Sequence, residues 1–208
     1  MEFIDLKTYN SYDKLQEYHK LLTADYNWYF VDGNDHLQKI SWNLEIPRDR
    51  PNWKSELNIS EYLDNINSRY SKQVYLNGQE KEAYKYFKKS TEFARENLKG
   101  LHKVSLNGVP PQSEVNGDSE KDQHLGKCYT ILYSLAIPTE DIMKCGICVG
   151  EKKRAFVRQG KMAFNPTYPH YSWYKDIDVS ENYDGVGTPI PEWRIVMAHE
   201  ILLNQFSS

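Results

Sequence analysis

Apolar residues recur at helical spacing through the first hundred positions and at strand spacing afterwards, and that change of period divides the chain. In "SYDKLQEYHKLLTADYNW", Leu15, Tyr18, Leu21 and Leu22 fall on one helical face, and Ser11 stands where an N-cap belongs. "NISEYLDNINSRY" opens on a capping residue, Asn58 or Ser60, and reads as a second helix. "KEAYKYFKKSTEFARENLKG" is the strongest helical pattern. Tyr86, Phe87, Phe93 and Leu98 share one side, and Gly100 supplies the stop. Between the first two helices, "WYFVDG" and "LQKISWNLEIP" read as short strands separated by the turn Asp32-Gly33.

Beyond residue 100 the period falls to two. "LHKVSLNG" comes first, then the polar loop "VPPQSEVNGDSEKDQHLGK", then "CYTILYSLAIP", "IMKCGICVG" and "RAFVRQGKMAFN". A segment rich in proline and aromatics, "FNPTYPHYSWYKD", carries His170. The Gly/Pro-rich loop "NYDGVGTPIP" and the strand "WRIVMAHEILLNQF" complete the series. Strands at roughly ten-residue spacing, punctuated by turn residues, predict an all-β sandwich or barrel. The expected architecture is one domain over residues 1–208, mainly β with a helical flank. Its helical and mixed part, residues 1–100, packs on one sheet of a jelly-roll core formed by residues 101–208.

Composition narrows the functional classes. The chain has 208 residues, 39% hydrophobic and 26% charged, which is long enough and apolar enough to bury a sizeable core. The formal charge of -3 offers no basic surplus for a nucleic-acid partner. "MEFIDLKTYN" lacks the charged and apolar regions of a signal peptide, and no apolar run approaches membrane-spanning length. Three cysteines suit a reducing compartment better than a disulfide framework, so a cytoplasmic protein with no membrane partner is expected. The aromatic fraction is 13%, with Tyr 16 and Trp 5, and aromatics both favour strands and line ligand clefts.

Several motifs carry no chemistry of their own. Cys145 and Cys148 have thioredoxin-like spacing but no helix to open, and zinc would need a second pair that Cys128 cannot complete. "AHE" at 198–200 lacks the second histidine of a zinc protease, and the acidic loop 116–122 departs from EF-hand spacing. No nucleophile elbow, Walker loop or dinucleotide fingerprint is present.

His170 acquires meaning from its companions. From Leu101 onward the chain resembles the aspartyl/asparaginyl β-hydroxylase family of iron(II)/2-oxoglutarate oxygenases. "HKVSLNG" is similar to the family's first core strand, whose serine place Ser105 takes, and "YTILYSLAIP" to a strand ending in an aliphatic-Ile-Pro turn. "KCGICVGEKKRAFVRQGKMAFNPTYPHYSW" follows the family's order of hairpin, Gly-Lys turn, Phe and distal histidine. "WRIVMAHEIL" resembles the final strand with its 2-oxoglutarate arginine.

The resemblance implies a double-stranded β-helix, a cupin-like jelly roll, acting as a dioxygenase that hydroxylates a small molecule or an amino-acid or peptide side chain. Its cofactors would be iron(II) and 2-oxoglutarate. His170 and Asp118 would hold the metal, supplying part of the two-histidine, one-carboxylate face that leaves positions open for substrates. Asn116 occupies the first histidine's place in an ungapped register, Asn116-Gly117-Asp118. A shift of four reads Gln112-Ser113-Glu114, and His124 in the same loop is the available substitute imidazole. Arg194, Ser105 and Thr130 would bind 2-oxoglutarate, with Thr130 and Leu132 standing where family members use arginine and histidine. Tyr133, Tyr168, Tyr171 and Trp173 would line the substrate pocket. The residues leave a second reading open, a non-catalytic relative whose roll is a binding module, and a third, an unrelated β-sandwich with a helical flank.

Overall fold

The computed structural model describes residues 1–30, 70–109, 113–116, 127–175 and 194–207. The expected strand "LQKISWNLEIP", nearly all of the expected helix "NISEYLDNINSRY" and most of the two polar loops lie outside these residues. The short strand β1 (Phe3–Ile4) leads through two 3-10 turns into helix α1 (Leu15–Phe30). Ser11 does not cap the turn that leads into this helix. Its Oγ instead accepts a hydrogen bond from the Lys99 amide at 3.1 Å, tying the two helical segments together. Trp28, Tyr29 and Phe30 form the helix's last turn rather than the strand "WYFVDG" predicts. A run of β-favouring aromatics yields here to continuation of the helix, because strand propensity depends on context.

After the undescribed segment, β2 (Tyr70–Leu76) turns back into β3 (Gln79–Glu80). Asn77 and Gly78 both have positive φ, 49° and 84°, the conformation a two-residue hairpin turn requires and Asn-Gly supplies. A 3-10 segment, Glu82–Tyr86, precedes helix α2 (Lys88–Asn97), so the long predicted helix is broken near Phe87. The residue preceding α2 makes no capping bond. Asp25 on α1 does the work from a distance, its Oδ2 accepting the Ser90 amide at 3.0 Å and the Ser90 hydroxyl at 2.7 Å. A buried carboxylate at a helix N-terminus satisfies orphan donors and complements the dipole.

The remaining strands are β4 (Leu101–Val109), β5 (Ser113–Asn116), β6 (Cys128–Ala136), β7 (Cys145–Val149), β8 (Lys152–Ala155), β9 (Lys161–Phe164), β10 (His170–Tyr174) and β11 (Arg194–Leu202). A seven-stranded sheet has the order β1-β9-β6-β11-β4-β2-β3, and a four-stranded sheet the order β5-β10-β7-β8. The pairings β4 with β11, β5 with β10, β6 with β9 and β7 with β8 are nested and all antiparallel. They are one long hairpin rolled across two sheets, which is the connectivity of a jelly roll. The fold is therefore mainly β, a jelly roll flanked by helices.

Both faces of the large sheet are covered. Val104, Leu106, Ile131, Ile195, Met197 and Ile201 point to one side, where they meet Tyr18 and Leu22 of α1 and Phe87, Ala94 and Leu98 of the α2 region in one apolar cluster. Alternate residues of the same strands point between the sheets, where Val109, Leu132 and Val196 join Ile147, Val149, Phe156 and Tyr174. Strand alternation produces both sets from a single stretch of sequence. Cys128, Cys145 and Cys148 are buried free thiols, and Cys145 and Cys148 lie on β7. No helix among the described residues is long and apolar enough to cross a membrane.

Candidate functional site

The space between the sheets is not filled. A cavity of about 130 Å³ opens there. Its polar lining comes from alternate positions of three strands: Lys103, Ser105 and Asn107 on β4, Thr130 on β6, Arg194 and Glu200 on β11. His170, Tyr171 and Ser172 of β10 close it from the small sheet. Apolar residues such as Leu132, Phe156 and Val196 complete the wall. A mostly apolar cleft with a few convergent polar groups is the usual form of a small-molecule site.

Arg194 is 3% exposed at the start of β11. One guanidinium nitrogen, Nη2, donates to Ser172 Oγ at 3.1 Å, and the group lies over the Phe156 ring at 4.4 Å. An aromatic floor and a hydroxyl fix the orientation of a planar, permanently charged donor, as recognition of a carboxylate demands. Ser105 and Asn107 lie on the same inner face of β4, with Asn107 Nδ2 donating to Ser105 Oγ at 3.3 Å.

His170 is half-buried at the start of β10, against the Phe164 ring at 5.2 Å. Its Nδ1 lies 3.0 Å from the Tyr168 carbonyl, and donation to that oxygen leaves Nε2 as the basic nitrogen of the neutral ring. The strand register adds one more relation: Tyr171 faces Asn116 across the β10–β5 pair. The triplet Asn116-Gly117-Asp118 thus begins at the end of the strand beside His170. Asp118 and His124, and the side chain of Asn116, lie outside the described residues. Among the described residues no three His, Cys, Asp or Glu side chains converge as a metal site.

Farther down β11 from Arg194, Glu200 accepts a 2.7 Å ion pair from Lys103 through Oε1. Both line the cavity, and sequence reasoning picked neither. Counting in twos from Ser105 and from Arg194 would have found them, together with Asn107.

Of the sequence-derived site residues, His170, Ser105, Thr130 and Arg194 line one cavity. Tyr171 borders it by its place on β10, but its ring lies beside Trp173 at 5.6 Å, on the face turned away from His170. Tyr133 does not. It lies three residues from Thr130 on a regular strand and so points to the other face, edge-on to Tyr18 at 5.2 Å and His199 at 4.8 Å. Trp173, three residues from His170, is turned away for the same reason. Its ring lies over Gly146, where a Cβ would sit 2.4 Å from Cζ2, and its Nε1 donates to the Ile142 carbonyl. Tyr168 contributes its backbone carbonyl to His170, while its hydroxyl accepts from the Met1 ammonium.

A second group of polar rings lies behind the large sheet. Tyr18 donates to His199 Nε2 at 2.5 Å, and His19 Nε2 donates to the Ser134 carbonyl at 2.9 Å. Complete burial holds the His199 imidazole down at a pKa of about 3, and burial lowers His19 as well. Burial also raises Cys145 and Cys128 to about 11, so these thiols are poor nucleophiles at neutral pH.

No family model and no curated protein matches the chain. Among solved structures it is similar to an oxidoreductase of the 2OG-Fe(II) oxygenase family from Burkholderia pseudomallei, at 8% identity and a TM-score of 0.39, over 71% of this chain and 81% of that one. It is also similar to the DMSP lyase DddQ from Ruegeria pomeroyi DSS-3, at 9% identity and a TM-score of 0.32. That match covers 52% of this chain and 41% of the lyase, so the chain spans less than half the lyase's length.

Proposed function

We propose that the chain is an iron(II)/2-oxoglutarate-dependent hydroxylase acting on a small molecule or on an amino-acid or peptide side chain, related to the aspartyl/asparaginyl β-hydroxylases. The observation that carries this reading is a single cavity lined by His170 of β10 and by buried Arg194 of β11, with the triplet that starts at Asn116 following the neighbouring strand β5. A histidine with Nδ1 committed to a backbone carbonyl has the tautomer and orientation of a metal ligand. His170, the one residue of the set whose side chain is described, suits a metal ligand; Asp118 would supply the carboxylate, and Asn116 or His124 would take the remaining place. When bound, iron(II) supplies the activation of dioxygen.

The chain's own work is binding and exclusion of water. Arg194, with Ser105 and Thr130, would hold the far carboxylate of 2-oxoglutarate by charge-assisted hydrogen bonds. Leu132, Phe156 and Val196 would keep the reacting end dry. Anaerobic titration of iron(II) into the purified protein tests the reading, with His170→Ala expected to abolish binding. Arg194→Met is expected to weaken 2-oxoglutarate binding by at least about tenfold, the loss of one charge-assisted bond. Wild-type protein that takes up neither metal nor 2-oxoglutarate would overturn it.

A second reading is favoured by one feature, the amide at position 116 where the family has an imidazole. On that reading the roll is a binding module that keeps the Arg194 pocket without catalysis. It predicts 2-oxoglutarate or another small carboxylate bound with no iron(II) requirement.

A further inference from the structure

The Lys103–Glu200 pair is the part of the cavity that this reading leaves unused. Glu200 is 8% exposed, lines the cavity, and is held from one side only. Its Oε1 takes the Lys103 ammonium at 2.7 Å, while Oε2 is buried with no hydrogen-bond partner among the described residues. Across the sheet it faces Thr130 on one neighbour and Lys103 on the other. A buried carboxylate oxygen without a donor is costly, and native proteins leave few. A structural ion pair would gain by closing that second oxygen with another side chain, and here the carboxylate belongs to a residue of the cavity wall instead. Lys103 is more exposed than Glu200, with 28% of its side chain accessible against 10%, so the pair has a buried acidic end and a wetter basic end.

We infer that Glu200 Oε2 is a subsite for a cationic nitrogen, a primary ammonium or guanidinium on the molecule this cavity takes. The inference rests on the hydroxylase reading only in treating the cavity as a substrate cavity. It names a charged amine as the class of substrate. Lys103 fixes the carboxylate's rotamer through Oε1, and the ligand's N–H donors complete Oε2. The two positive groups flanking one carboxylate resemble a shared salt bridge, in which each cation competes for the same charge. A ligand nitrogen at Oε2 therefore binds against the pull of Lys103. Position 200 is six residues along β11 from Arg194, roughly 20 Å at about 3.3 Å per residue. A carboxylate at Arg194 and an amine at Glu200 would thus belong to two different molecules.

Calorimetric titration of the full chain, without metal or 2-oxoglutarate, with butylamine, putrescine and agmatine tests the inference. Butanol and butyramide serve as matched neutral probes. At least one amine should bind more tightly than its neutral counterparts by about tenfold or more. Glu200→Gln, isosteric and uncharged, should erase that preference. Lys103→Met should raise amine affinity several-fold, because it removes the competing cation. Opposite signs from two neighbouring substitutions cannot come from misfolding. Amines that bind no better than butanol, or that bind Glu200→Gln as well as wild type, would overturn the inference. 2-Oxoglutarate titrated separately into the wild-type protein reads the hydroxylase proposal on its own, so the two failures are distinguishable.

Discussion

On β4, Val104 and Leu106 meet two helices, whereas Ser105 and Asn107, one residue away on each, meet a cavity. The same holds on β11, where Ile195, Met197 and Ile201 pack outward and Arg194 and Glu200 point between the sheets. The helix-facing side is close-packed around apolar residues and buried polar rings. The cavity side is looser and lined by Lys103, Arg194 and Glu200. A period of two thus lets one strand serve stability and ligand binding with separate residues, so each can be altered with limited effect on the other.

The largest test of that separation is Leu22→Ala, in the fully buried helix-facing cluster. Truncation of such a residue is expected to cost about 2–5 kcal/mol in urea unfolding. If Leu22→Ala costs less than about 1 kcal/mol, the helices are not integral to the fold. Next in size is a pH effect confined to the same side. His199 is neutral when folded and titrates at about 3, whereas unfolded it would take up a proton near 6.5. The unfolded state therefore binds more protons between these values, and stability, full above pH 6.5, falls as the pH drops below it. The slope approaches about 1.4 kcal/mol per pH unit for this residue. His19 contributes with the same sign. Urea midpoints at pH 7.5 and pH 5 should show the decline, and His199→Gln should flatten it.

Asp25→Ala sharpens the comparison by removing the long-range cap on α2. A loss of about 1–2 kcal/mol is expected, visible in denaturation and in faster amide exchange over residues 88–91. The smallest effect belongs to the cavity. Ser105→Ala should leave the unfolding midpoint nearly unchanged, within about 0.5–1 kcal/mol, yet weaken 2-oxoglutarate binding several-fold. A large stability loss with unchanged binding would reverse the assignment of the two faces.

Much of this division was legible in the sequence, and its failures are instructive. Strand period, turn residues and the resemblance beyond Leu101 together located His170, Arg194, Ser105 and Thr130. Parity alone excludes Tyr133 as a companion of Thr130, and Tyr171 and Trp173 as companions of His170, since an odd step along a strand crosses the sheet. Lys103 and Glu200 give no such signal, because a lysine and a glutamate on strands usually face water, and only the sheet-on-sheet arrangement shows that these two face inward. The Asn77-Gly78 hairpin carried its signal openly but lay in a polar run, "YSKQVYLNGQE", with little apolar alternation to frame it. Asp25 capping a helix some sixty residues away leaves no local trace at all.

The nested pairing of the roll also sets an order of events during synthesis. β11 lies between β6 and β4 in the middle of the large sheet, yet it is the last of the eight core strands to emerge from a ribosome. Until it arrives, β4 and β6 each present a row of unpaired amides and carbonyls, with their apolar faces already made. Local helices can form early, but the sheet's centre closes only when contacts spanning roughly a hundred residues are established, and such closures are slow. A nascent chain of this topology therefore carries open sheet edges from the completion of β4 until β11 has been made. It depends on the final strand, the one that bears Arg194 and Glu200, to bury them. Assembly of the ligand cavity and protection from edge-to-edge association are the same event.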